Sequence, residues 1–77
     1  MTAKRIVTNP KVLQGKPVIE GTRISVAFVL ELLAAGMDVD AVHDEYPELT
    51  REDILAAINY ARQVVENEDV VPSVEAA

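Results

Sequence analysis

Few side chains in this sequence have types and spacings that could do chemistry. Arg23 follows Gly21-Thr22, a pair typical of a tight turn. Its planar guanidinium carries five donors, suited to a carboxylate, a phosphate or several carbonyls. Two roles are open to it. It can tie its turn to Glu31, Asp44 or Glu45, or it can enter an acidic site on a partner. His43 is the single histidine. Asp40 and Asp44 stand near it in the chain, but no second His or Cys lies at ligand or dyad spacing. An exposed helical histidine is the expectation. Ser25 has neither a base nor an oxyanion motif around it and reads as a helix cap. Asp38, Asp40, Asp44 and Glu45 read as a solvated, charged helix face. Gly15, Gly21 and Gly36 fit neither a P-loop nor a dinucleotide fingerprint. The sequence therefore points to a chain that binds other macromolecules rather than an enzyme, with no cofactor and no metal.

The elements that position these residues are legible from periodicity and punctuation. Arg5-Ile6-Val7 and Pro17-Val18-Ile19 are short extended runs, separated by Asn9-Pro10 and Gly15. They are too short to stand alone, so they must lie on helices or pair with another subunit. Gly21-Thr22 turns the chain into a first helix, capped by Ser25 and running to about Ala35. Val26, Val29, Leu30 and Leu33 form its stripe, widened by Phe28 and Leu32. Gly36 is a left-handed stop. Asp38 caps a short second helix that turns Val39 and Val42 to the core and ends at Tyr46-Pro47, since the residue before proline avoids helical geometry. Thr50 and Asp53 have the spacing of a capping box. A third helix runs from Arg51 to about Glu66 with a stripe of Ile54, Ile58, Ala61 and Val65, flanked by Leu55. The expected fold is mainly α, with a short N-terminal β element and a three-helix core. Its second and third helices meet in a corner of helix-turn-helix dimensions. On a reading helix, the first turns would offer Arg51, Glu52, Asp53 and Ala56. Arg51 can hold guanine or phosphate, and Asn59 and Arg62 follow one to two turns later as candidate DNA contacts. Glu52 and Asp53 would repel the backbone, so DNA binding is expected to be weak.

At 77 residues, with 49% hydrophobic and 26% charged, the chain has room for one thin-cored domain. There is no cysteine to staple it, so a homodimer or higher oligomer is expected. No apolar run reaches membrane-span length, and no signal-peptide core follows Lys4 and Arg5, which suggests a cytoplasmic address and no membrane partner. The net charge of −6 is unevenly spread. Residues 1–23 hold five basic residues against one acid, a local charge of +4. Residues 24–77 hold two against twelve, a local charge of −10. The chain divides into a basic arm (1–24), a helical core (25–66) and a tail (67–77) without helical period.

The stretch Gly15-Lys16-Pro17-Val18-Ile19-Glu20-Gly21-Thr22-Arg23-Ile24, with Glu45-Tyr46-Pro47 and Leu49-Thr50 followed by Asp53-Ile54, resembles the bacterial and archaeal family called domain of unknown function 433. The resemblance covers about residues 4–65. It implies a homeodomain-like fold with a short β element before three helices. It also implies the role of an antitoxin in a type II toxin–antitoxin pair, whose partner is a PIN-like ribonuclease with carboxylates around a divalent metal. In that role the basic residues Arg5, Lys16 and Arg23 are candidates to occupy the acidic site, while Val70, Val71 and Val74 in the tail would add apolar grip. Alternative readings are a helix-turn-helix transcriptional regulator or a dimerisation module.

Overall fold

The computed structural model describes residues 6–8, 10–11 and 13–67. Two strands, β1 (Ile6–Val7) and β2 (Val18–Ile19), pair antiparallel with Ile6 opposite Ile19 and Val7 opposite Val18. The strands thus find each other within one chain. Between them, Leu13, Gln14 and Gly15 form a short turn with three consecutive positive φ angles of 49°, 57° and 82°. Only the last is a glycine, so two side-chain-bearing residues hold a left-handed conformation.

After β2 the chain folds back at once. Ile19 N–H donates to Ile24 O (3.0 Å), Thr22 N–H to Ile19 O (2.9 Å) and Val26 N–H to Pro17 O (3.0 Å). Val18 also bridges Ser25. Residues 17–26 are therefore a closed hairpin. Gly21 sits in its tip at φ 84°, and a Cβ there would touch nothing within 4 Å. The need for glycine at this position is one of backbone conformation, not of space.

Ser25 ends the hairpin and starts α1 (Val26–Ala34), its Oγ accepting from Phe28 N–H at 2.9 Å. Gly36, at φ 105°, closes α1, and Met37 N–H returns to Leu32 O. Asp38 caps α2 (Val39–Glu45) by accepting from Ala41 N–H at 2.8 Å. Across Pro47 and Glu48, Leu49 N–H donates to Tyr46 O. The Thr50–Asp53 box then opens α3 (Arg51–Asn67): Thr50 N–H donates to Asp53 Oδ2 (3.0 Å) and Asp53 N–H to Thr50 Oγ1 (3.1 Å). Each expected cap is present.

α3 packs on α1, α2 and β1. The core is Ile19, Val26, Val29, Val42, Leu49, Ile54 and Ala57, with Leu30, Leu33, Val39, Ile58 and Tyr60 half-buried around it. Phe28 meets Tyr46 edge to face with centroids 5.4 Å apart, joining α1 to the end of α2. Val18 and Ile19 are buried in the core, so the second extended run lies on the helices, one of the two placements open to it. One expectation is corrected here. Val65, expected in the buried stripe of α3, is 71% exposed because α3 runs past the body it packs on.

Candidate functional site

Arg23 stands on the hairpin tip. Its backbone is pinned from both sides: Thr22 Oγ1–H donates to Ile19 O (2.8 Å), and Ile24 N–H donates to Thr22 Oγ1 (3.0 Å). The side chain is exposed, and among the described residues it forms no ion pair. The expected tie to Glu31, Asp44 or Glu45 is absent among those residues. Lys16 is likewise exposed and enters no ion pair among them. Arg5 and the tail residues Val70, Val71 and Val74 lie outside the described residues.

The cations of α3 are differently placed. Arg51 pairs with Asp40 across the helical corner (2.7 Å). Arg62 holds Glu66 (2.8 Å) and donates from Nε to Asn59 Oδ1 (3.1 Å). Arg51, Asn59 and Arg62 are all exposed, and at 100° per residue they share about a quarter of the helix circumference. Leu55, 54% exposed, lies among them. The structure thus brings the three candidate DNA contacts onto one outward face, each cation already holding an acid. Asp53 is not on that face. It is 1% exposed, turned inward to close its capping box, so the expected backbone repulsion comes from Glu52 alone.

His43 also departs from expectation. It is half-buried, and its Nδ1 donates to Leu49 O, holding the corner between α2 and α3. Six residues separate the partners, and no local pattern in the sequence signals the contact. Asp38, Asp40, Asp44 and Glu45 are exposed as expected. Among the described residues, no group of three or more His, Cys, Asp or Glu is placed to hold a metal ion, and no helix is long and apolar enough to cross a membrane.

An apolar groove of about 360 Å³ that sequence reasoning missed opens between α1 and the C-terminal half of α3. Pro17, Val26 and Leu30 form one wall and Tyr60, Val64 and Val65 the other, with Lys16 at the rim. The signal for it was the length of α3: a stripe that continues for a turn beyond the end of a nine-residue α1 must run out of partner.

Among curated proteins, the chain is similar to the uncharacterized protein y4eO of Sinorhizobium fredii (strain NBRC 101917 / NGR234), with 42% identity over 60 residues. That match covers 77% of this chain and 27% of the relative, so the chain spans about a quarter of the relative's length. No solved structure matches the chain. The family described as "Protein of unknown function (DUF433)" matches residues 6–61, a span holding the hairpin, the corner and most of α3, and the chain belongs to that family.

Proposed function

We propose that this chain is a non-enzymatic binding module, the antitoxin of a type II toxin–antitoxin pair that neutralises a PIN-like ribonuclease. One observation carries the reading: Arg23 is displayed on a closed, hydrogen-bonded hairpin tip without an ion pair among the described residues. A guanidinium displayed on a fixed turn fits a cluster of carboxylates, where it can bind two oxygens at once and displace a divalent metal and RNA. Lys16 has the same sign in the next part of the chain, and the tail with Val70, Val71 and Val74 adds affinity away from the metal. The test is a search of the neighbouring reading frames for a PIN-like ribonuclease and co-expression with it, followed by an RNA-cleavage assay; an isolated gene would count against the reading. Arg23→Glu is expected to keep the complex but lose at least about tenfold in inhibition, and removal of residues 67–77 to weaken the complex yet leave inhibition intact at high antitoxin concentration. Full inhibition by Arg23→Glu would sink the reading.

A second reading is operator binding through α3, favoured by the shared outward face of Arg51, Asn59 and Arg62. It is compatible with the first, since a repressor of its own operon can also hold a toxin. The affinity is weak, because Asp40 and Glu66 compete with phosphate for the two arginines. A titration with the chain's own upstream DNA tests it: Arg51→Ala and Arg62→Ala should each lower affinity and reduce the salt slope by about one.

A further inference from the structure

The apolar groove beside α1 has Lys16 as the one charged residue in its lining. Its α3 wall runs from Tyr60 to Val65, where Val65 is 71% exposed, and α3 ends shortly after, at Asn67. The sequence continues Glu68-Asp69-Val70-Val71-Pro72-Ser73-Val74-Glu75. Pro72 lacks a backbone donor and disfavours helical geometry at Val71, so this stretch does not favour a longer α3. In an extended chain alternate residues share a face. Val70, Pro72 and Val74 would then form one apolar edge, bracketed by Asp69 and Glu75.

We infer that in the free chain residues 70–74 fold back into this groove as an extended segment, with Val70, Pro72 and Val74 against Leu30 and Val64 and an acid of the segment facing Lys16. Three considerations select this occupant. The first is reach. Three extended residues carry the chain about 10 Å from Asn67 to Val70, more than the roughly 7.5 Å of the Tyr60–Val65 wall at 1.5 Å per residue. The second is charge: a lone cation on an apolar groove matches a segment whose valines lie between acids. The third is the tether. A segment on so short a linker meets the groove at an effective concentration on the order of millimolar, which a second copy or another protein at micromolar concentration does not match. The toxin contact proposed above uses two of the same valines, so toxin and groove compete for them. The inference itself concerns the free chain, and its test contains no toxin.

Methyl NMR of the full chain at ~100 μM, well below that effective concentration, tests this. Nuclear Overhauser cross-peaks are expected from the Val70 and Val74 methyls to those of Ala27, Leu30 or Val65. In a sample mixed from labelled and unlabelled chains, the isotope-filtered spectrum, which keeps only contacts between chains, should lack them. Removal of residues 68–77, and separately Val74→Asp, should open the groove. Each is expected to raise the fluorescence of the dye anilinonaphthalene sulfonate, which binds exposed apolar surface, at least about twofold, with helical circular dichroism unchanged. Absence of the cross-peaks overturns the proposal. So does their appearance in the filtered spectrum, which gives the groove to a second copy, or dye fluorescence that neither variant changes.

Discussion

Gln14 sits at φ 57° directly after Leu13 at 49°, and two successive side-chain-bearing residues in the left-handed region cost on the order of 1 kcal/mol each. Gln14 is exposed, so its side chain offsets little of that cost by packing. Gln14→Gly is therefore expected to raise stability by about 0.5–1 kcal/mol in urea unfolding; a loss would mean that contacts of the Gln14 side chain offset the strain. His43 makes the opposite case. Its Nδ1–H to the Leu49 carbonyl closes a half-buried corner, and His43→Ala leaves that acceptor unpaired, at a cost of about 1–2 kcal/mol. Capping carboxylates should differ by burial. Asp38→Ala removes an exposed cap worth about 1 kcal/mol. Asp53→Ala removes a fully buried one and also vacates core volume, so its cost should be the larger of the two. Chemical denaturation of the pair, ranked side by side, decides it.

α2 has seven residues, too few to persist as a helix in water. What holds it is the corner: Val42 and Leu49, both fully buried, and the His43 contact. Leu49→Ala is expected to cost about 2–5 kcal/mol, and native-state amide exchange should show α2 losing protection first. The local signals at element ends were all readable. Ser25, Gly36, Asp38, Pro47 and the Thr50–Asp53 pair act on neighbours within a few residues, which sequence spacing records directly. The same spacing could not show that Asp53 faces inward or that His43 reaches Leu49. Those depend on how α2 is rotated against α3, a matter of packing. Val65 was misplaced for a related reason. Periodicity gives the face of a helix but not how far the neighbouring element extends beneath it.

At the scale of the molecule, charge decides more than motif. With a net −6 and both α3 arginines engaged by acids, the isolated chain should bind random duplex DNA poorly at ~150 mM salt. Tight, salt-resistant binding to unrelated DNA in a fluorescence-anisotropy titration would contradict this. The split between a basic N-terminal segment and an acidic body was visible in the sequence. The hydrophobic side chains of the same segment, Val18 and Ile19, draw it into the core, while its described cations Lys11, Lys16 and Arg23 are exposed. Burial of two aliphatic side chains, roughly 1.5–3 kcal/mol each, outweighs an exposed ion pair worth at most about 1 kcal/mol. That comparison explains why Arg23 is displayed and not tied down.

Ser25 belongs to two structures at once: it is the last rung of the hairpin opposite Val18 and the cap of α1. A hairpin of this size forms in about 1–10 μs and a helix of α1's length faster still, whereas the contact of α1 with α3 must close a much longer loop. Ser25 therefore joins two early-forming pieces into one local unit before the distant helix arrives. Ser25→Ala should cost about 1 kcal/mol, and most of that loss is expected as slower refolding, with the unfolding limb of the chevron nearly unmoved. The reverse partition would place the hairpin–helix junction among the last contacts to form.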